Sequence, residues 1–171
     1  MRSSLREVMS RFATGVIVVS VGGDQPHGMT ANAFTSVSLD PPQVLCCIGH
    51  STVMHGAISG SARFAVSVLG ADQQDIARHF ADKDRPLGAA QFASVGWRPG
   101  PHSGAPLLSG ALGWLECELT RSHESGDHTI FIGSVLEAGN GDEGPGLLFH
   151  RGSFASSDGV GSDSGRVRTL R

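Results

Sequence analysis

Small hydroxyl and amide side chains interrupt an otherwise apolar stretch between Gly28 and Cys47. They are Thr30, Asn32, Thr35, Ser36 and Ser38. A strand that is buried on both faces carries few such groups. A planar polar ligand, in contrast, can pair its ring edge with backbone N–H and C=O groups beside small side chains. The spacing therefore indicates either a ligand-binding strand pair or hydroxyls that face solvent on a half-exposed sheet.

Two further short motifs could bind an anion. In segment 50–52 (His-Ser-Thr), hydroxyl groups precede a predicted helix, whose free N–H groups and dipole favour phosphate. The alternative there is an ordinary helix cap. In segment 126–128 (Gly-Asp-His), a flexible glycine, a carboxylate and an imidazole precede a predicted strand. This combination suits a mobile ligand with phosphates, although such residues are also common in hairpin loops.

Several well-known chemical motifs are absent from the sequence. It contains no Gly-x-Gly-x-x-Gly between a predicted strand and a predicted helix, no P-loop, no Cys-x-x-Cys, no His-Glu-x-x-His and no Gly-x-Ser-x-Gly elbow. His50 and His55 are five residues apart, a spacing that does not align two metal ligands on one helical face. The sequence therefore predicts no metal site, P-loop ATPase, Rossmann nucleotide domain or α/β-hydrolase.

The composition narrows the class of protein further. The chain has 171 residues with 13 basic and 16 acidic side chains and a net charge of −3, so no basic excess indicates nucleic acid or an anionic membrane. Three cysteines cannot form a disulfide framework. The N-terminus lacks the apolar core of a signal peptide, and the apolar run 44–48 is too short to span a bilayer. We therefore expect a reduced, cytoplasmic protein.

The hydrophobic pattern predicts the elements that position these motifs. Helices are predicted over 3–13 with Ser4 as the cap, over 51–59, and over 72–81 with Asp72 as the cap. Strands are predicted over 16–21, 27–31, 34–39, 44–48, 64–69, 112–120, 129–138 and 147–150, with a further piece around Phe154. A long ordered loop is expected over 83–106 and a polar hairpin loop over 121–128. The first helix is amphipathic, with Leu5, Val8, Met9 and Phe12 on one face.

Antiparallel hairpins dominate this order of elements, so the predicted fold class is mainly β. Closing such a sheet removes its exposed edges, and a small β-barrel with flanking helices is therefore expected. The 24 glycines and 8 prolines are spread along the chain, as in a fold of short elements joined by tight turns. Residues 1–156 are predicted to form this domain. Segment 157–171 has few apolar side chains to offset the entropy of ordering and is predicted to be a disordered tail.

Five segments, taken together and in this order, resemble a known family. They are Phe12-Ala-Thr-Gly-Val-Ile-Val-Val-Ser20, Gly28-Met-Thr-Ala-Asn32, Ser36-Val-Ser-Leu-Asp-Pro-Pro42, Phe64-Ala-Val-Ser-Val-Leu69 and Gly126-Asp-His128. Over about residues 5–155, the chain is similar to the short-chain flavin reductases, the reductase components of two-component flavin-dependent monooxygenases. The second and third segments are the most specific.

This resemblance implies a split β-barrel of the FMN-binding, Greek-key type with flanking helices, assembled as a homodimer. The implied enzyme is an NAD(P)H-dependent flavin reductase. NADH or NADPH would reduce FMN or FAD, and the reduced flavin would leave for a separate oxygenase. The alternatives are a non-catalytic flavin-binding protein and an interaction domain without flavin. A pyridoxamine-phosphate-oxidase-like activity fits the Gly-Asp-His and Ser-Val-Ser segments less well. Neither nucleic acid nor a membrane is expected as a partner.

The resemblance also assigns site residues by position. Those expected along the flavin are Met29, Thr30, Ala31 and Asn32, then Ser36, Val37 and Ser38, with Ser51 and Thr52 at its phosphate and Phe80 and Lys83 as further contacts. His128 is the expected catalytic residue, which binds and orients the nicotinamide. His150 and Phe154 are lesser candidates for the same pocket. No metal ligand is implied.

Overall fold

The computed structural model describes residues 4–158, in which twelve strands and three α-helices form. The strands are β1 (Thr14–Gly15), β2 (Ile17–Val21), β3 (His27–Ala31), β4 (Phe34–Leu39), β5 (Pro42–Gly49), β6 (Arg63–Val68), β7 (Trp97–Pro99), β8 (Pro106–Leu108), β9 (Gly113–Ser125), β10 (His128–Asn140), β11 (Leu147–His150) and β12 (Ser153–Ser156). The helices are α1 (Leu5–Met9), α2 (Val53–Ser61) and α3 (Gln74–Ala81), with 3₁₀ turns at Ala71–Gln73 and Gly88–Phe92.

Two further predictions concern membrane-spanning helices and the C-terminal tail. Within residues 4–158, every helix is too short or too polar to cross a membrane. The predicted disordered tail falls almost entirely on residues 159–171, which lie outside the described residues. The boundary between domain and tail therefore stays a prediction.

One seven-stranded antiparallel sheet forms the body of the molecule. Its strands follow the order β3-β2-β6-β9-β10-β5-β4. A three-stranded sheet (β1-β11-β12) and a two-stranded ribbon (β7-β8) accompany it. This architecture confirms the prediction of a mainly β fold built from antiparallel hairpins.

Strand β2 lies between the two halves of the hydrophobic core. All five of its residues are buried, and successive side chains of a strand point to opposite faces. Val19 belongs to the cluster that contains Met54 of α2. Val18 belongs to the cluster that contains Phe80 of α3. The sheet is therefore covered by a helix on each face at this strand, which explains why its sequence is continuously apolar.

Helix α1 begins as predicted but ends early. The Ser4 hydroxyl accepts a hydrogen bond from the Glu7 N–H at 3.2 Å and so caps the helix. The predicted end at residue 13 is wrong, because the chain tightens after Met9 into turns such as the bond from Phe12 N–H to the Met9 carbonyl at 3.0 Å. The predicted apolar face exists, but it is exposed in the single chain. Leu5 is 78% and Phe12 66% exposed.

The β9–β10 hairpin is longer than the sequence predicted. The loop over 121–128 is wrong, because β9 continues to Ser125 and β10 begins at His128. Only Gly126 and Asp127 join them, with Gly126 at a φ of 62°, and glycine with positive φ is typical of such tight turns. Residues 121–125 are all exposed. This outer part of the hairpin has no apolar face, so its sequence looks like a loop.

One buried glutamine holds the segment 83–106 against the sheet. Gln91 is completely buried, and its Oε1 accepts a hydrogen bond from the N–H of Gly28 at 2.9 Å. Its Nε2 donates to the carbonyls of Pro26 and Gly88, both at 3.0 Å. The predicted loop is therefore ordered, as expected, but contains a 3₁₀ turn and the β7-β8 ribbon.

His27, at the start of β3, lies beside this glutamine. The ring is 4% exposed. Its Nδ1 lies 3.3 Å from Nε2 of Gln91, and its Nε2 lies 3.2 Å from a guanidinium nitrogen of Arg85. Burial, together with the charge of Arg85, lowers the pKa of His27 to about 4. His27 is therefore a neutral core residue at physiological pH.

Helix α3 begins two residues later than predicted. The chain first forms a 3₁₀ turn, in which the buried Gln73 accepts a hydrogen bond from Gly70 N–H at 3.1 Å and donates to the Ser109 carbonyl at 2.9 Å. Asp72 lies within this turn and does not cap α3. The prediction of an aspartate cap is therefore wrong, because α3 continues directly from this 3₁₀ turn and its N-terminus has no side-chain cap.

Candidate functional site

A polar cleft of about 560 Å³ opens where β3, the end of β5, the start of α2 and the β9–β10 turn meet. The lining residues are Arg6, Met29, Thr30, Ala31, Asn32, Ala33, Cys47, Gly49, His50, Ser51, Thr52, Lys83, Asp127 and His128. Eight of the fourteen predicted site residues are among them, namely Met29, Thr30, Ala31, Asn32, Ser51, Thr52, Lys83 and His128. Three segments that are distant in sequence therefore form one site.

Strand register brings the hairpin turn to the cleft. β10 pairs with β5 so that His128 lies opposite Gly49, and the N–H of His50 donates to the carbonyl of Asp127 at 3.0 Å. A Cβ atom on Gly49 would lie 3.6 Å from Nε2 of His128. Any longer side chain at position 49 would therefore cover the imidazole edge, which the glycine leaves open.

Asp127 orients the imidazole of His128. Its Oδ1 lies 2.7 Å from Nδ1 of His128, so Nδ1 carries the proton and donates. The hydrogen bond with His128 and the charge of that ring lower the pKa of Asp127. Nε2 of His128 has no hydrogen-bond partner within residues 4–158. This nitrogen is the one that a ligand in the cleft can contact.

The start of α2 both caps the helix and leaves donors free. Thr52 is the N-cap: its hydroxyl accepts from the N–H of His55 at 3.3 Å and donates to the carbonyl of Gly49 at 2.9 Å. The hydroxyl of Ser51 has no partner among residues 4–158. The helix-cap alternative from the sequence is therefore confirmed, and the anion site stays a prediction to which the adjacent hydroxyl is available.

Two cations face this region without ion pairs. Lys83 and Arg6 both line the cleft and are exposed. Neither takes part in a salt bridge within the described part of the chain. With the N–H groups at the start of α2, they give this end of the cleft the donors that a phosphate requires.

The polar side chains of Thr30 in β3 and of Asn32 directly after it bond to other parts of the chain and fix this segment. The hydroxyl of Thr30 donates to the carbonyl of Ala77 in α3 at 2.8 Å. The amide of Asn32 donates to the hydroxyl of Thr14 at 3.1 Å. These bonds occupy the polar side chains of Thr30 and Asn32, so a role for the backbone of segment 29–32 beside a planar ligand stays a prediction.

Six predicted residues lie elsewhere in the single chain. Ser36, Val37 and Ser38 belong to β4, an edge strand of the main sheet, and Phe80, His150 and Phe154 lie in or beside the second core cluster. Phe80 is completely buried, because its ring packs on Phe92 at 5.2 Å and under Gly28. The ring of Phe154 meets that of Phe149 edge to face with centroids 5.6 Å apart, and the Arg78 guanidinium covers it. None of the six lines the polar cleft.

A second, largely apolar cleft of about 1150 Å³ adjoins the first. Its walls include the exposed face of α1 and several apolar side chains of the sheets, among them Met9, Phe12, Ile17, Phe34, Leu45 and Phe149. Arg6, Asn32, Ala33 and Cys47 line both clefts. The two clefts therefore share a wall and together suit a ligand with a flat apolar part and an anionic part.

Sequence reasoning missed some of the residues at this junction. Arg6 lies within the predicted helix 3–13 and Cys47 within the predicted strand 44–48. Neither residue was assigned to the site. An available signal was the alternation in β5, where Cys46 is completely buried and Cys47 is half-buried on the other face. Burial raises the pKa of Cys46 to about 12, so this neighbouring thiol is a core group and not a reactive one.

Comparison with known proteins identifies the family. A family model described as "Flavin reductase like domain" matches residues 9–158. An "NADH-dependent FAD reductase" of Streptomyces globisporus is 54% identical over 153 residues, which cover 90% of this chain and 84% of the relative. An "NADH-dependent flavin reductase" of a Rhodococcus species is 41% identical over 163 residues, which cover 93% of this chain and 88% of the relative.

Solved structures agree with these matches. The chain is similar to BorF, the flavin reductase component of a bacterial two-component tryptophan halogenase, with a TM-score of 0.86 and 51% identity over 89% of this chain and 95% of that one. It is also similar to the NADH:FAD oxidoreductase SgcE6 of Streptomyces globisporus in complex with NAD and FAD fragments, with a TM-score of 0.83 and 52% identity over 88% of this chain and 89% of that one. The resemblance seen in the sequence and the split-barrel fold are confirmed, and the chain belongs to the family of the flavin reductase like domain.

Proposed function

We propose that this chain is an NADH-dependent flavin reductase that reduces FMN or FAD and releases the reduced flavin to a separate oxygenase. The observation that carries the proposal is the polar cleft with the open imidazole of His128, which adjoins an apolar cleft in a chain of this family. The names of its relatives support NADH as the donor and FAD among the flavins. The description of BorF as one component of a two-component system supports an oxygenase partner.

The residues present fit a flavin. The apolar cleft and the backbone of segment 29–32 match a flat ring system with polar edges. Ser51, Lys83 and the first N–H groups of α2 match the phosphate at the end of its side chain. Because the cations are few and local, this site needs no basic surface, in agreement with the net charge of −3.

The residues of the chain itself bind the flavin and the nicotinamide and orient them. A bound flavin supplies the chemistry, since its N5 accepts a hydride from the nicotinamide. Asp127 holds Nδ1–H of His128 and so fixes the imidazole plane. Nε2 of His128 then contacts the nicotinamide donor and keeps it in place beside the flavin, which lowers the entropy cost of bringing two ligands together. We assign the protein no acid or nucleophile in the reaction.

We further propose that the enzyme is a homodimer in the cytoplasm, where NADH is available. The apolar face formed by Leu5, Val8 and Met9 of α1 and by Phe12 in the following turn, all more than half exposed, is a surface of the kind that marks an interface. Val37 and Leu39 on the edge strand β4 are exposed as well, at 47% and 89%. A second copy on these surfaces would also explain why Ser36, Val37 and Ser38 lie outside the cleft of one chain.

Light scattering after size exclusion tests the dimer. Phe12→Asp places a charge in the proposed interface and should shift the wild-type dimer to the monomer mass. Asp24→Ala, in the exposed turn between β2 and β3, is the control and should remain dimeric. A wild-type monomer would contradict this part of the proposal.

The enzymatic proposal is tested by a matrix of steady-state assays. NADH and NADPH are each combined with riboflavin, FMN and FAD, and nicotinamide oxidation is followed at 340 nm. Catalytic oxidation of NADH in the presence of FMN or FAD is the expected result. Quenching of flavin fluorescence on binding, with no oxidation of either nicotinamide, would favour the non-catalytic flavin-binding protein instead.

A further inference from the structure

A buried hydroxyl connects two histidines at the wall of the polar cleft. Thr129 is 3% exposed. Its Oγ1 lies 3.0 Å from Nε2 of His50 and 2.8 Å from Nε2 of His55. The two rings meet edge to face at 5.0 Å, and His55 also packs on Phe131 at 5.4 Å. Of the residues in this chain of bonds, His50 alone lines the cleft.

Hydrogen-bond accounting restricts how the three groups can be protonated. A hydroxyl has a single proton to donate, and Oγ1 of Thr129 has no other partner within residues 4–158. If both imidazoles donated to it, its own proton would be buried without an acceptor, which is unfavourable. One imidazole therefore donates to Thr129, and Thr129 donates to the other.

An anion in the cleft selects the direction. His50 uses Nε2 for Thr129, and its Nδ1 has no partner among the described residues. If Nδ1–H donates to an anion while Nε2 accepts from the hydroxyl of Thr129, Nε2–H of His55 donates to Thr129 in turn. Every buried donor in this chain of bonds then has an acceptor. The arrangement thus keeps the His50 proton on Nδ1, where it can donate to an anion.

We propose that His50 donates to the phosphate of the bound flavin, and that Thr129 and His55 are positioning residues that fix its ring. The inference rests on the proposed function, since it requires a flavin phosphate beside Ser51 and Lys83. It assigns a role to the spacing of His50 and His55, which does not suit a metal but places the two rings on either side of one hydroxyl.

Dissociation constants for FMN and riboflavin test this role, because the two ligands differ only by the phosphate. Thr129→Val removes the hydroxyl at nearly constant volume, and Thr129→Ser keeps it. Flavin fluorescence quenching should show FMN affinity reduced about fivefold in Thr129→Val, with riboflavin affinity unchanged and Thr129→Ser close to wild type. His50→Ala should weaken FMN binding about tenfold, again without an effect on riboflavin.

A double-mutant cycle distinguishes positioning from an independent effect. If Thr129 acts through His50, the variant with both His50→Ala and Thr129→Val binds FMN no more weakly than His50→Ala alone. Additive losses, or an equal loss of FMN and riboflavin affinity in Thr129→Val, would overturn the inference. A wild-type protein that binds neither of these ligands nor FAD would overturn the proposed function and the inference with it, whereas normal binding of FMN and riboflavin by all variants overturns the inference alone.

Discussion

His27 and His128 lie in the same sheet but in opposite surroundings. His27 is 4% exposed, and both of its ring nitrogens contact neighbours, Gln91 and Arg85. The side chain of His128 is 49% exposed, and only its Nδ1 is bonded, to Asp127. Within residues 4–158 its Nε2 has no partner. Both nitrogens of the His27 ring contact residues of the protein, whereas one nitrogen of the His128 ring is open to a ligand.

This difference separates stability from function. A buried group whose bonds are all made within the protein contributes to the free energy of unfolding, because removing it leaves its partners unpaired. A half-exposed group with one open atom contributes little to stability and can contact a ligand. Changes around His27 should therefore alter unfolding, and changes at His128 should alter catalysis.

The largest effect is expected at Gln91, which supports His27. Gln91→Leu leaves the N–H of Gly28 and the carbonyls of Pro26 and Gly88 without their partner, so the free energy of unfolding should fall by about 3 kcal/mol. Urea denaturation followed by circular dichroism measures it. Gln25→Leu, at an exposed position, is the control and should change stability by less than about 0.5 kcal/mol. Equal effects of both variants would contradict the account of the buried cluster.

The next effect concerns pH and His27. Its pKa is lowered in the folded state to about 4 from 6.5, so the unfolded chain binds a proton that the folded chain does not. The stability contribution is therefore complete above pH 6.5 and is lost as pH falls toward 4, by about 3 kcal/mol in all. Urea unfolding at a series of pH values measures the slope. His27→Gln should flatten it, and an unchanged slope in that variant would assign the effect to other groups.

At His128 we expect a smaller effect on the free energy of unfolding and a larger effect on catalysis. His128→Ala should lower kcat/KM for NADH about tenfold, through KM or kcat, while the dissociation constant of oxidised flavin stays within about twofold. His123→Ala, at an exposed position on β9, is the matched control and should behave like wild type. Parallel kinetics and fluorescence titrations measure both quantities. An equal loss of flavin affinity in His128→Ala would refute the assignment to the nicotinamide.

The parts of the site that were predictable are those with a local signal. Segments 29–32, 51–52 and 126–128 combine small, hydroxyl or charged residues with breaks in the apolar pattern, and the structure brings them to one cleft. Phe80 and Lys83 are three residues apart at the end of one helix. The sequence alone does not tell which of them faces the core, and the structure buries Phe80 and leaves Lys83 at the cleft.

The parts that were not predictable depend on tertiary contacts or on a second surface. The outer β9–β10 hairpin has exposed side chains on residues 121–125, so the alternation that reveals a half-buried strand is missing. Arg6 lines the cleft together with residues of β3 and β5, a placement that depends on tertiary structure. The apolar face of α1 was recognised correctly, but the periodicity of a helix does not say whether its face meets the same chain or another one.

The most direct test compares His27 and His128 in one experiment. Imidazole C–H signals in an NMR spectrum report each histidine separately, with assignments from His27→Gln, His50→Ala and His128→Ala. On titration with FMN, the signals of His50 and His128 should shift and that of His27 should stay in place. A shift at His27 with none at His50 and His128 would mean that the ligand binds elsewhere and would contradict the assignment of the polar cleft.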